Sequence, residues 1–63
     1  MFIQLTTRYQ GNPLIWYNMN KVLSLHIKND NGLIYTLIQN NDGGSHGVLE
    51  TPEQIMKLIK QAK

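Results

Sequence analysis

The feature that most constrains this fold is its one helical pattern, which comes last in a chain otherwise made of short alternating runs. Residues 51–54 read TPEQ and fit a capping box, in which each end residue hydrogen-bonds the backbone amide of the other. Pro52 at the first helical position loses no hydrogen bond. Apolar residues then recur at helical spacing from Ile55 to Ala62. The sequence therefore predicts an amphipathic helix over about residues 52–62.

Upstream of this helix, apolar and polar residues alternate with the period of half-buried strands. Asn31-Gly32 is a type I′ turn signal between two of these runs. The alternation predicts strands at about residues 1–7, 14–17, 22–28 and 33–39, with a short strand at 47–49. The predicted fold class is α+β: a small antiparallel β-meander of four to five strands with one C-terminal amphipathic helix, in a single domain of residues 1–63.

The length and the lack of cysteine predict self-association. A chain of 63 residues buries only about 60% of the surface that its unfolded form exposes. Small domains are stabilised by disulfides, metals or oligomerisation, and a cysteine-free chain has no disulfide. The predicted sheet also carries more apolar surface than one helix covers. We therefore expect a homodimer or higher oligomer formed through a sheet face or a strand edge.

Residues 43–47, GGSHG, match the G-x-S-x-G pattern of serine hydrolases. That pattern works when the serine sits on a sharp turn from a strand into a helix, inside a much larger sheet. Here a strand and a helix cap follow, so we expect no catalytic residue, no cofactor and no enzymatic activity. Anion binding is a second possible use of this segment. The backbone N–H groups around Gly43-Gly44 could form a concave nest, with Ser45 and His46 as further donors to a phosphate or nucleotide. A flexible glycine-rich connection is the simpler interpretation.

The aromatic, histidine and acidic side chains are the other candidates for binding. Trp16 and Tyr17 point to opposite strand faces, which predicts one core anchor and one interface anchor. His26 is interpreted as a polar residue on a partly exposed strand face. The histidines and acids lack metal-ligand spacing, so no metal site is predicted. The candidate ligand- or partner-binding residues are Trp16, Tyr17, Arg8, His26, Asp42, Gly43, Gly44, Ser45 and His46.

Charge and hydropathy bear on partners and location. The net charge is +2, but three of the six basic residues, Lys57, Lys60 and Lys63, fall in the predicted helix, where the dipole favours cations. Nucleic acid is therefore the least favoured partner. No apolar run approaches the roughly 20 residues of a membrane span, and the N-terminus alternates instead of forming a signal peptide. We expect a cytoplasmic protein, in a bacterial or phage-infected cell.

Four motifs carry a resemblance to a known family: MFIQLT at 1–6, GNPL at 11–14, GLIYTL at 32–37 and ETPEQIMKLI at 50–59. Together they resemble the FlbD-type small-protein family of flagellar and swarming-motility proteins, with their uncharacterised bacterial and phage relatives. The resemblance implies a cytosolic, non-enzymatic protein and brings no catalytic residues. This chain departs from the family in a longer polar stretch before the last strand and in the two large rings of Trp16 and Tyr17.

Two function hypotheses, with a third behind them, follow from these observations. The first is a self-associating, non-enzymatic interaction protein of FlbD-like type that engages a protein partner. The second is a phage-encoded small-ligand binder that sequesters a nucleotide-type signal at a subunit interface, with the segment DGGSHG and an aromatic ring as its site. The third is nucleic-acid binding.

Overall fold

The computed structural model describes residues 1–62, which form five strands, one 3₁₀ turn and one α-helix. The strands are β1 (Phe2–Thr6), β2 (Leu14–Asn18), β3 (Val22–Asp30), β4 (Leu33–Asn40) and β5 (Ser45–Val48). The 3₁₀ turn spans Met19–Lys21, and the helix α1 spans Pro52–Gln61. Five antiparallel strands followed by one helix confirm the predicted α+β fold class. Lys63, assigned to the helix face from the sequence, lies outside the described residues.

The strands form two antiparallel sheets that meet at one corner. β1 pairs with β2, while β3, β4 and β5 pair in that order. A bridge between Thr7 and Val48 joins the two sheets. It is flanked by the Leu49 N–H, which donates to the Thr6 carbonyl at 2.9 Å, and by the Arg8 N–H, which donates to the Gly47 carbonyl at 3.2 Å. The result is one bent layer in which β2 and β3 are the edge strands.

Local sequence signals explain the turn and the helix start. Asn31 and Gly32 have φ angles of 53° and 89°, the left-handed values that a type I′ turn needs at both central positions. At the start of α1 the Gln54 N–H donates to the Thr51 hydroxyl at 3.1 Å. The Thr51 N–H donates to the Gln54 side-chain oxygen at 2.9 Å, which completes the predicted capping box.

The core lies on the concave side of the bent layer, where α1 closes it. Each fully buried apolar side chain contributes about 1.5–3 kcal/mol. The buried apolar residues are Ile3, Leu5, Tyr17, Ile38, Val48 and Ile55. The helix supplies Ile55 from its first turn, and Leu58 and Ile59 pack beside it at the margin of the core. Within residues 1–62, no helix is long and apolar enough to cross a membrane.

The predicted boundaries of the last strand were wrong. β5 begins at Ser45 and ends at Val48, whereas the sequence predicts a strand at 47–49. The glycine-rich stretch therefore contains a tight turn over residues 41–44, closed by the Asn40 N–H, which donates to the Gly44 carbonyl at 2.8 Å. Glycine and serine favour loops locally, but here β4 offers a free edge, and pairing with it draws Ser45, His46 and Gly47 into the sheet.

Candidate functional site

The adjacent aromatic residues of β2 lie on opposite sides of the layer. Tyr17 is opposite Ile3 on the inner side and is only 7% exposed. Trp16 is opposite Gln4 on the outer side and is 68% exposed. The alternation of the strand therefore makes Tyr17 the core anchor and leaves Trp16 available at the surface.

Two further apolar side chains share the outer side with Trp16. Leu14 lies opposite Thr6, and Phe2 lies opposite Asn18, so both belong to the same row as Trp16. Leu14 is 59% exposed and Phe2 is 60% exposed. We call the surface formed by Phe2, Leu14 and Trp16 the hairpin face. Aromatic residues presented together in this way are typical anchors of protein interfaces.

A groove adjoins the hairpin face, between β1 and helix α1. Its volume is about 590 Å³, and its walls carry Gln4, Thr6 and Lys57 over a floor that includes Leu58. The Glu50 carboxylate in this groove accepts the Thr6 N–H at 2.9 and 3.0 Å and the Thr6 hydroxyl at 2.9 Å. Through these hydrogen bonds, Glu50 connects β1 to the segment before the helix.

A smaller depression lies beside the free edge of β2, with a volume of about 320 Å³. We call it the edge depression; it is lined by Phe2, Ile15, Trp16, Tyr17, Asn18, Lys21, Asn40 and His46. His46 lies on β5 opposite Ile38, so its ring points inward and meets the Tyr17 ring edge-on, with ring centroids 5.6 Å apart. Three residues singled out from the sequence, Trp16, Tyr17 and His46, are thus brought together.

The hydroxyl of Tyr17 is fixed within this depression. It donates a hydrogen bond to Oδ1 of Asn40. Burial raises the pKa of Tyr17 above its ordinary value of 10.0, and the hydrogen bond to Asn40 opposes that shift. The phenol therefore stays protonated at neutral pH and serves as a donor that positions the Asn40 amide.

The turn between β4 and β5 is less suited to anion binding than the sequence suggested. The Gly43 N–H donates to the Asn40 carbonyl at 3.1 Å, and the Gly44 N–H donates to the Asp42 carboxylate at 2.9 Å. The Asn41 N–H donates to the Lys21 carbonyl at 2.9 Å. Because these three donors are already used, and the Asp42 carboxylate occupies the turn, the turn offers an incoming anion neither the glycine N–H groups nor a positive field.

Arg8 does not line the edge depression and lies on the outer side of the three-stranded sheet. Its guanidinium carbon sits 3.9 Å from the centre of the Tyr35 ring, and its Nη2 pairs with Oδ2 of Asp30 at 3.0 Å. The hydrogen bond to Asp30 is the main cause that raises the pKa of Arg8. Gly47 leaves space for this arrangement, since a Cβ built there would lie 2.5 Å from Cδ of Arg8. This guanidinium is therefore engaged within the protein.

His26 is also remote from Trp16 and His46. It is exposed on the outer side of β3, where its Nε2 lies 2.8 Å from the Ser24 hydroxyl. Ser45, the serine of the G-x-S-x-G match, is exposed at the start of β5 and not on a turn from a strand into a helix. Within residues 1–62, no group of three or more His, Cys, Asp or Glu side chains is placed to hold a metal ion.

The candidate binding residues predicted from the sequence do not include Phe2 and Leu14 of the hairpin face, or Lys21 and Asn40 of the edge depression. The alternation of β1 and β2 signals that Phe2 and Leu14 share a side with Trp16 once the register is known. No local signal marks Lys21 or Asn40, because they meet only where the start of β3 pairs with the end of β4.

Comparison with protein-family models, with curated proteins and with solved structures finds no match. The FlbD-type resemblance stays a prediction.

Proposed function

We propose that this protein is a non-enzymatic, self-associating interaction protein that engages a protein partner through its hairpin face. One observation carries the proposal: Phe2, Leu14 and Trp16 lie side by side on one face of the hairpin, and each is more than half exposed. Fully burying a side chain the size of Phe2 stabilises a protein or a complex by about 1.5–3 kcal/mol relative to leaving it exposed. The exposed Phe2 and Trp16 do not gain this free energy within the chain itself. A partner that covers both recovers that free energy.

The surroundings of the hairpin face have the composition of an interface. Protein interfaces combine an apolar, aromatic centre with a polar rim. Here the aromatic centre adjoins the groove beside α1, whose walls include Gln4, Gln54 and Lys57. Trp16 is also the kind of residue whose truncation costs most in measured interfaces. The favoured partner is therefore a protein segment that inserts apolar side chains between Phe2 and Trp16.

Site-specific photo-crosslinking tests this proposal. A benzophenone amino acid is placed at position 16 in the full chain, which is then irradiated in the cells that produce it. We expect a discrete adduct heavier than one or two copies of the chain. The matched control carries the same group at position 9, because Tyr9 is 54% exposed but lies outside the hairpin face. Adducts that are absent at position 16, or equal at both positions, would overturn the partner-binding role.

A second candidate function is favoured by one specific observation, the convergence of Trp16, Lys21 and His46 on the edge depression. An indole ring beside an ammonium group and an imidazole suits a planar ligand with a negative charge, such as a nucleotide. The depression is at the lower end of the volumes of ligand sites, about 300–1,000 Å³. This observation supports the nucleotide-sequestration hypothesis in a different place from the glycine turn.

Calorimetry with a panel of mono-, di- and cyclic nucleotides separates the two candidates. If the edge depression binds nucleotides, the heat of binding disappears in His46→Ala and in Trp16→Ala and persists in His26→Ala, the matched control at a histidine that does not line the depression. If no nucleotide gives heat at millimolar concentration, the second candidate fails and the first is unaffected.

A further inference from the structure

The turn between β3 and β4 carries the one asparagine of this chain that is followed by glycine, Asn31. Asparagine is chemically labile, because the main-chain nitrogen of the next residue can attack its side-chain carbonyl carbon, Cγ. Glycine hinders this attack least, since it has no Cβ beside that nitrogen. The other six asparagines are followed by residues with side chains, which include the proline after Asn12. Asn31 is therefore the asparagine that its sequence neighbour protects least.

The surroundings of Asn31 leave it open to water. Asn31 and Gly32 are both exposed, and a Cβ built on Gly32 would meet no atom within 4 Å apart from its chain neighbours. The residues that flank the turn, Asp30 and Leu33, are exposed as well. The tip of a hairpin opens locally at a much lower free energy than the whole protein unfolds. The side chain of Asn31, the Gly32 nitrogen and water can therefore meet without unfolding of the core.

One hydrogen bond restrains the attacking nitrogen. The Gly32 N–H donates to Oδ1 of Asn29 at 2.9 Å. The nitrogen attacks only after its proton has left, and an acceptor that holds the N–H makes that departure less favourable. The acceptor belongs to an exposed side chain on a strand that ends one residue later, so this bond opens more readily than a main-chain bond within the ladder. Asn29 therefore slows the reaction at Asn31 without preventing it.

The turn between β4 and β5 offers a comparison, since Asp42-Gly43 can form the same kind of ring. There the Gly43 N–H donates to a main-chain acceptor, the Asn40 carbonyl, at 3.1 Å. The Asp42 carboxylate accepts the Gly44 N–H at 2.9 Å, so the second reacting group is held as well. A carboxylate is also a weaker electrophile than a neutral amide. The reacting groups are thus held at two points in this turn, whereas in the β3–β4 turn a single side chain restrains them.

We propose that Asn31 is a site of spontaneous deamidation, at a rate that the Asn29 side chain controls. The Gly32 nitrogen gives its proton to water and forms a bond to Cγ of Asn31, and the side-chain amide nitrogen takes up a proton and leaves as ammonia. The product is a cyclic imide, which water then hydrolyses. Hydrolysis at Cγ yields aspartate, whereas hydrolysis at the main-chain carbonyl carbon yields isoaspartate, in which the main chain runs through the former side chain. Asn29 is a positioning residue and is not consumed.

The two products affect the hairpin differently. Aspartate followed by glycine suits a type I′ turn as well as asparagine does. Isoaspartate adds a carbon atom to the main chain of a turn whose length fixes the register of β3 and β4. Asp30 adjoins this turn, and its carboxylate pairs with Nη2 of Arg8 at 3.0 Å. We therefore expect isoaspartate at position 31 to weaken the ion pair that keeps Arg8 over Tyr35.

Timed mass spectrometry of the purified full chain tests the proposal. The chain is incubated at neutral pH, sampled over days and digested, and each sample is searched for peptides in which an amide has become a carboxyl group. We expect the conversion to begin at Asn31 and to run about two- to tenfold faster in Asn29→Ala, the factor that corresponds to the net contribution of one hydrogen bond. Asn29→Asp, which keeps an acceptor oxygen for the Gly32 N–H, should react no faster than wild type.

Ile34→Ala separates this role of Asn29 from a general loosening of the hairpin. Ile34 lies opposite Asn29 in the ladder and is 63% exposed, so its truncation loosens the tip and leaves the acceptor in place. We expect a smaller acceleration in Ile34→Ala than in Asn29→Ala. Equal acceleration in both variants, an intact Asn31 in Asn29→Ala, or conversion that begins at another asparagine would overturn the proposal.

Discussion

Two outer surfaces of the same bent layer each carry aromatic residues, and the protein covers only one of them. On the three-stranded sheet, Tyr35 is half-buried under the guanidinium of Arg8. On the β1–β2 hairpin, Trp16 is 68% exposed with no side chain laid across it. The covered ring is thus part of the protein's own packing, whereas the open one is free for another molecule.

The difference comes from connectivity. Arg8 follows β1 directly and runs beside β5, so its side chain lies across Gly47 and reaches both the ring and the Asp30 carboxylate. The outer side of the hairpin lies at the far edge of the layer, where no following segment of residues 1–62 returns. A short chain can cover an outer aromatic ring, because this one covers Tyr35 with a single arginine. The exposure of Trp16 is therefore not explained by chain length alone.

The largest effect is expected from Gly47→Ala, which removes the space that the covering arginine needs. The new Cβ would lie 2.5 Å from Cδ of Arg8, 2.9 Å from its Cγ and 3.2 Å from Cδ2 of Tyr35. Overpacking of this kind costs about 1–3 kcal/mol. We expect a loss of that size in the free energy of unfolding, measured in urea. Gly44→Ala is the control and should lose less, since its nearest neighbour is the Asp42 carboxylate at 3.2 Å.

Tyr17→Phe tests the inward neighbour of Trp16. Removing its hydroxyl deletes the hydrogen bond to Asn40, which is worth about 0.5–1.5 kcal/mol. Burial raises the pKa of Tyr17 in the folded protein above 10.0, so the folded state binds this proton more tightly than the unfolded state does. The resulting stability is fully present below about pH 10 and is lost as pH rises through the folded pKa.

The measurement is the free energy of unfolding from pH 8 to pH 11, in wild type and Tyr17→Phe. We expect a steeper alkaline decline in the wild type than in the variant. Tyr9→Phe, at an exposed tyrosine, should keep the wild-type slope. Identical slopes in all three proteins would show that Tyr17 is not held protonated by its surroundings.

A smaller effect is expected from Arg8→Ala, which uncovers Tyr35. The loss in stability should be below that of Gly47→Ala, because the ion pair with Asp30 is partly open to solvent, with 26% and 54% of the two side chains exposed. The informative quantity is the coupling between the two changes. In the Arg8→Ala background, Gly47→Ala should cost less than it does alone. Additive losses in the four-protein cycle would contradict the steric origin given for Gly47.

The smallest effect on stability is expected at the open surface. Trp16→Gln should change the free energy of unfolding by no more than about 0.5 kcal/mol, as is usual for exposed positions. Trp16 is the only tryptophan, so its fluorescence reports on this surface alone. Acrylamide should quench it in the folded protein nearly as well as in the unfolded chain. Strong protection from quenching would mean that the hairpin face is covered in the purified protein.

The elements with strong local chemistry were predictable, and the last hairpin was not. The capping box and the Asn31-Gly32 turn depend on neighbouring residues alone, so the start of α1 and the β3–β4 turn follow from the sequence. β5 was placed two residues late because its pairing depends on β4, which local propensity does not represent. The site was split for the same reason: Trp16, Tyr17 and His46 line one depression, while Arg8 and His26 lie outside it.

By itself, the sequence determined the α+β class, the amphipathic helix and the excess of apolar strand residues, because these depend on periodicities within one segment. Only the tertiary structure decided that Tyr17 is buried and Trp16 exposed, that Lys21 and Asn40 join His46, and that β2 and β3 are the edges. Those outcomes depend on strand register and on where the layer bends. Both are set by contacts between residues distant in the chain, such as the bridge from Thr7 to Val48.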